Sequence, residues 1–187
     1  MNKNALMNLL RDLYSHKIAP EKAAEQLSTL PYENLDFAKV DHHRSIRSGL
    51  PEVIYSEGKT AGQLISIIKS LYKEENDILA TKLNPEVYDG IKLKLPPETI
   101  YNETSCTLVI KKTKKNKGLG QITVVTAGTS DIPIAEEAQV TAELYGSNVE
   151  TIFDVGVAGI HRIFNKINGL RQARVIIVVA GMDGALA

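Results

Sequence analysis

The sequence predicts an α/β protein in two parts: an N-terminal α+β domain over 1–117, then, over 118–187, the first βαβαβ half of a doubly wound parallel sheet. Three observations predict the second part. Gln121–Ala127, Val149–Val155 and Ala173–Ala180 are near-continuous apolar runs rich in β-branched residues, as expected of strands covered on both faces. Between them lie two helix-compatible segments, Pro133–Tyr145 and Gly159–Asn168, followed by Gly146 and Gly169. Each strand also stops at small residues, in the order GTSD, GVAG and GMDG. Strand, crossover helix and parallel strand is the connection that builds such a sheet. Val175–Val179 reads as a central strand with nothing following it to cover its far side.

The first part is read element by element. Leu6, Leu9, Leu10 and Leu13 recur at helical spacing. A second helix opens at Pro20, since proline suits a first turn, and runs through Leu27. Pro51–Tyr55 is a short strand. Thr60–Lys73 is the clearest helix: Thr60 and Gln63 form a capping box, and Leu64, Ile67, Ile68 and Leu71 line one face. Ile78–Thr81 is a strand, Asn84-Pro85 opens a short helix, and Ser105–Lys112 alternates as a strand that includes Cys106. Lys111–Gly120, KKTKKNKGLG, carries five lysines up to Lys117 without interleaved aromatic residues; it reads as a solvated hairpin tip or linker.

Composition excludes several classes of function. The 22 basic and 22 acidic residues cancel, so net charge gives no reason to expect nucleic acid as a partner. No apolar run approaches the ~18–20 residues that span a bilayer, and the N-terminus lacks the layout of a secretory signal. A single cysteine excludes an intrachain disulfide and a cysteine-built zinc site. A cytoplasmic protein without a membrane partner is expected.

Ligands of open α/β sheets bind beyond the carboxyl ends of the strands, where the three small-residue turns lie. In the first turn, Gly128 allows close approach of a phosphate or ribose, Ser130 offers a hydroxyl, and Asp131 accepts from ribose hydroxyls. Ser130 or Asp131 as a simple helix cap remains the alternative. In the second turn, His161 is a candidate proton acceptor and Arg162 a partner for a carboxylate or phosphate; a surface His-Arg pair is the alternative. In the third, Asp183, between Gly181 and Gly184, is a candidate general base or orienting group, against a plain turn aspartate. Asp183 and His161 are thus the catalytic candidates. Gly128, Thr129, Ser130, Asp131, Gly159, Arg162, Gly181, Met182 and Gly184 are the substrate-binding ones. Asp41, His42, His43 and Arg44 invite a metal reading, but adjacent histidines on a strand face opposite ways, so no metal site is assigned and a binding or interface role is left open. Cys106 has no cation or helix start nearby in sequence, and reads as core or an inert thiol.

GTSDIPIAEEA, GVAGIHR and VVAGMDGALA together resemble the nickel-pincer cofactor biosynthesis carboxylases, the pyridinium-3,5-biscarboxylic acid mononucleotide synthases. LPYENLDFAKVDHHRSIRSGLPEVIYSEGKT is similar to that family's N-terminal region, so the likeness covers nearly the whole chain. More distantly, the second part resembles the phosphoribosylaminoimidazole carboxylases. Ser130 and Asp131 match their Gly-Ser-x-Ser-Asp loop, and His161 and Arg162 their Ser-Ala-His-Arg turn; Gly128, Gly159 and Ile160 depart from it. The resemblance implies a flavodoxin-like sheet and carboxylation of the pyridinium ring of nicotinic acid adenine dinucleotide. Carbon dioxide or bicarbonate is the co-substrate, and phosphoanhydride hydrolysis releases AMP. A cysteine thiolate adds to the ring, converting an electron-poor pyridinium into an enamine-like nucleophile. Asp183 stands where that family usually has a longer glutamate.

The resemblance further implies no tightly bound cofactor, with magnesium as the candidate divalent cation, and a homo-oligomer. The family's catalytic cysteine lies downstream of GMDGALA, so the chain is expected to be C-terminally truncated: a fragment, the product of an interrupted gene, or half of a split enzyme complemented by a C-terminal fragment. It is then inactive alone. The alternatives are a non-catalytic nucleotide-binding or interaction module, and a purine-pathway-type aminoimidazole ribonucleotide carboxylase.

Overall fold

A computed structural model of the chain describes residues 3–28, 32–42, 44–74, 76–113, 118 and 120–187. The expectations for His43 and for Lys114–Lys117 lie outside these residues. The chain divides into two compact units, residues 1–100 with 108–113, and residues 101–107 with 114–187.

In the first unit, helices α1 (Lys3–Tyr14) and α2 (Pro20–Ser28) precede a two-stranded antiparallel ribbon, β1 (Glu33–Asn34) and β2 (Lys39–Val40), and a short α3 (Arg44–Ser48). Next come β3 (Val53–Tyr55), α4 (Ala61–Tyr72), β4 (Ile78–Thr81), α5 (Pro85–Ile91), β5 (Thr99–Asn102) and β6 (Thr107–Ile110). The last four strands form one sheet in the order β3-β4-β6-β5, with β3 parallel and β6 antiparallel to β4. The expected capping box is present: Thr60 Oγ1 accepts from the Gln63 N–H, and the Gln63 side chain accepts from the Thr60 N–H. Leu64, Ile67, Ile68 and Leu71 on α4 are buried, as are Ile78, Leu79 and Ala80 of β4 and Leu108 and Ile110 of β6. Each large aliphatic side chain so buried contributes about 1.5–3 kcal/mol relative to exposure. Asp77 is buried at the start of β4 and ties down the end of β6: Oδ1 accepts from the N–H groups of Lys112 (2.7 Å) and Thr113 (2.8 Å), and Oδ2 from the Thr113 hydroxyl (2.7 Å).

The strand expected over 105–112 begins later, at Thr107. Cys106 lies in the turn Glu103–Cys106 between β5 and β6, in the left-handed region at φ 51°. Its Sγ donates to the Glu103 carbonyl. Asn102 initiates that turn, its side-chain oxygen accepting from the Ser105 N–H, which withdraws 103–106 from the strand pattern.

The second unit is a βαβαβ arrangement of parallel strands, completing a mixed α/β fold of the flavodoxin-like, doubly wound type. Its elements are β7 (Gln121–Thr126), α6 (Ile132–Leu144), β8 (Asn148–Ile152), α7 (Ile160–Phe164), α8 (Ile167–Gln172) and β9 (Ala173–Val179). The strand order is β8-β7-β9. The chain therefore steps from β7 to β8 in one direction and from β8 across β7 to β9 in the other. Right-handed crossovers in opposite directions put α6 on one face and α7 with α8 on the other. That is why Thr123, Val124, Val125 and Thr126 of β7 are buried on both sides.

Two local expectations change here. The helix expected over 159–168 is two short helices, because the chain leaves helical geometry at Lys166 (φ −109°, ψ 5°) and resumes at Ile167; the second runs past Gly169 to Gln172. The strand read as central, β9, is an outer strand among the described residues, and β7 is the central one. An apolar run reports strand character, not which strands or helices flank it. Val175 and Ile176 are accordingly about half exposed. No helix among the described residues is long and apolar enough to cross a membrane.

Candidate functional site

Strand β7 ends at Thr126, β8 at Ile152 and β9 at Val179, and the turn after each faces one cleft of about 350 Å³. Its walls are Ala127, Gly128, Ser130 and Asp131 from the first turn; Gly156, Val157, Ala158 and Arg162 from the second; and Ala180, Gly181, Met182, Ala185 and Leu186 from the third. In a doubly wound sheet the crevice opens where successive connections leave in opposite directions. The order β8-β7-β9 places that point at the β7/β9 boundary, where the cleft is found.

Backbone hydrogen bonds hold the turns together. The Ala127 N–H donates to Val179 O (3.1 Å), joining the first and third strand ends. Thr126 accepts twice from the second: its carbonyl from the Val155 N–H (3.0 Å) and its buried hydroxyl from the Asp154 N–H (2.9 Å). The Gly156 N–H donates to Ala127 O (2.9 Å), and a Cβ at Gly156 would stand only 2.7 Å from that oxygen. Glycine is therefore required there for the two turns to meet. Three non-glycine residues, Asp154 (φ 57°), Met182 (φ 45°) and Asp183 (φ 57°), adopt left-handed backbone at the ends of β8 and β9, a conformation costly enough to concentrate at functional turns.

The Asp131 carboxylate turns back to accept from the Gly128 N–H at 2.9 Å rather than capping α6. This closes the GTSD turn and puts a negative charge at the cleft wall. Arg162 Nη1 donates to Asp154 Oδ2 at 2.8 Å. The guanidinium lies over Gly159, where a Cβ would come within 2.6 Å of Nε.

Residues 32–113 match the family described as LarB/PurE-like N-terminal domain. The whole chain also aligns with the uncharacterized protein MJ0165 of Methanocaldococcus jannaschii, at 39% identity over 194 positions, covering all of this chain and 75% of the relative. The chain belongs to the LarB/PurE-like family.

In this LarB/PurE-like chain the family match lies outside the cleft, whereas the archaeal relative spans it. The structure brings together Gly128, Ser130, Asp131, Arg162, Gly181 and Met182 as cleft walls. Gly159 contributes by lying beneath Arg162. Thr129, His161, Asp183 and Gly184 occupy the same turns but do not line the cleft; all four are exposed. Sequence reasoning did not single out Asp154, which organises Arg162. The available signal was an acid at a strand end eight residues before an arginine in the next helix.

His42 is used within the first unit. Its Nε2 lies 3.0 Å from Glu33 Oε2, to which the buried Ser70 hydroxyl also donates (2.6 Å), while Lys73 Nζ approaches Oε1 at 3.4 Å. The Ser70 hydroxyl first, then His42 and Lys73, hold the Glu33 carboxyl down at about 2 against opposition from partial burial. Among the described residues no three His, Cys, Asp or Glu side chains gather to hold a metal ion.

Proposed function

We propose that the second unit forms the nucleotide-side wall of a carboxylase site acting on the pyridinium ring of nicotinic acid adenine dinucleotide. Carbon dioxide or bicarbonate is the second reactant, and phosphoanhydride hydrolysis releases AMP. The observation that carries the reading is the convergence of three strand-end turns on one cleft at the topological switch point, with an acid and an arginine on its walls. Its volume falls within the range of small-molecule sites, about 300–1,000 Å³. Membership of the LarB/PurE-like family supports carboxylase-type chemistry.

In this reading Ser130 and Asp131 hold ribose hydroxyls, Arg162 meets an oxyanion of the substrate, Gly128, Gly181 and Met182 bring the cleft-wall backbone to it, Gly159 seats the Arg162 guanidinium, and Thr129 and Gly184 shape the turns beside the cleft. A thiolate adds to the ring, and the resulting neutral enamine carbon attacks carbon dioxide to form the new C–C bond. A base then takes the proton from that carbon, and the C–S pair leaves with sulfur, restoring aromaticity. Asp183 and His161 are the candidate bases. Both are exposed beside the cleft, so a ligand or further chain must draw them in. Cys106, in the β5–β6 turn, is not assigned the nucleophile's role; the thiolate is expected from the family's region downstream of GMDGALA. The half-exposed Phe164, Val175 and Ile176 support an assembly such as a homo-oligomer.

A second reading, a nucleotide-binding module without catalysis, is favoured by the position of Asp183 and His161 off the cleft wall. Calorimetry of the chain with nicotinic acid adenine dinucleotide, followed by product analysis with bicarbonate in the presence of a family member's cysteine-bearing region, separates them. Binding with carboxylated product and AMP, both lost in Arg162→Ala, supports the carboxylase site; binding without product favours the module. No binding by a folded chain overturns both.

A further inference from the structure

Among the described residues lining the cleft, Arg162 is the cation, and two neighbours decide where its charge points. Nη1 donates to Asp154 Oδ2 at 2.8 Å, and the guanidinium rests over Gly159, at a distance no side chain there would permit. Asp154 is itself aimed. Its N–H is fixed on the buried Thr126 hydroxyl at 2.9 Å, and its backbone is left-handed at φ 57°. A continuous path thus runs from the core of the central strand, through the Asp154 backbone and carboxylate, to the arginine on the cleft wall. Both side chains are substantially exposed, so the ion pair contributes little to stability. Its consequence is orientation: with one Nη committed to Asp154, the rigid fork of remaining donors has one direction to face.

We propose that Asp154 is a positioning residue, holding Arg162 so that its guanidinium receives an oxyanion of the ligand, a phosphate or a carboxylate. This deepens the proposed function and rests on it for the identity of the ligand, but not for the positioning itself. A competing view makes Asp154 an electrostatic brake that weakens anion binding by neutralising the arginine.

The experiment compares the chain with Asp154→Ala, Asp154→Asn, Arg162→Ala and Asp154→Ala/Arg162→Ala, each checked by thermal melting. Calorimetry uses AMP, which carries phosphate without carboxylate, and nicotinic acid riboside, which carries the reverse. Positioning predicts that Asp154→Ala weakens the oxyanion ligand about tenfold, the worth of one charge-assisted hydrogen bond. Asp154→Asn, whose amide oxygen still accepts from Nη1, recovers most of the loss, and Asp154→Ala adds nothing once Arg162 is gone. The ligand that responds identifies the oxyanion. Tighter binding by Asp154→Ala supports the brake and overturns positioning. A ligand-free readout is the guanidinium ¹⁵N–¹H spectrum. Distinct, slowly exchanging Nη signals of Arg162 in the chain that average in Asp154→Ala support positioning even if neither ligand binds, in which case only the ligand assignment fails. Identical spectra overturn positioning whatever binds.

Discussion

Replacing Glu33 by glutamine removes a carboxylate that joins the β1–β2 ribbon to α4, and its effect is expected to depend on pH. The folded carboxyl sits at about 2 against a reference of 4.5, held there chiefly by the Ser70 hydroxyl, then by His42 and Lys73. A depression from 4.5 to about 2 corresponds to about 3.4 kcal/mol if fully realised. The side chain is one-third exposed, and solvent screening brings this to about 1.5–2 kcal/mol. Between pH 4.5 and 2 the unfolded chain binds the extra proton, so stability rises with pH there. The contribution is complete above pH 4.5 and is lost as pH falls through about 2. Urea unfolding of the protein and of Glu33→Gln at neutral pH and at pH 2 isolates this group, because every other carboxylate titrates in both. The unmodified chain is expected to lose about 1.5–2 kcal/mol more on acidification than the variant. A ¹³C titration placing Glu33 near 4.5, or parallel losses in the two proteins, refutes the reasoning.

Other perturbations have expected outcomes of their own. Asp77→Ala removes three hydrogen bonds from a buried carboxylate, two of them from backbone N–H groups, and should cost about 3 kcal/mol in urea unfolding, with Asp77→Asn costing less. Gly156→Ala forces a methyl against Ala127 O and should lower stability by about 1–3 kcal/mol. It should also weaken the dinucleotide at least about tenfold in calorimetry, because the first two turns no longer meet. Thr60→Ala breaks the capping box of α4 and should cost about 1 kcal/mol, read as a lower thermal midpoint without change in ligand affinity.

Legibility followed the range of the interaction. The α4 cap, Thr60 with Gln63, is complete within four residues, so the sequence alone displays it. The parallel strands of the second unit are equally visible, since apolar and β-branched residues dominate runs such as Ile122–Val125. By contrast, β1 and β2 are two residues each and exist only through pairing with one another, leaving no periodicity to read. Cys106 kept the alternation of a strand but lost the conformation to a turn set by Asn102. The cleft was half visible. Turns ending parallel strands were recognisable by glycine and small polar residues, but which side chains face inward was not.

The sequence by itself determined that this chain is α/β, that its second part alternates parallel strands with crossover helices, and that GTSD, GVAG and GMDG lie at strand ends. These follow from composition and spacing within a few residues. Only the tertiary structure decided that, among the described residues, β7 is central and β9 outer, that the three turns share one cleft, and that Asp154 rather than solvent meets Arg162. The physical reason is that strand order and side-chain direction arise from packing between segments tens of residues apart. The Thr126 hydroxyl on the Asp154 N–H and the Ala127 carbonyl against Gly156 are contacts that no local pattern encodes.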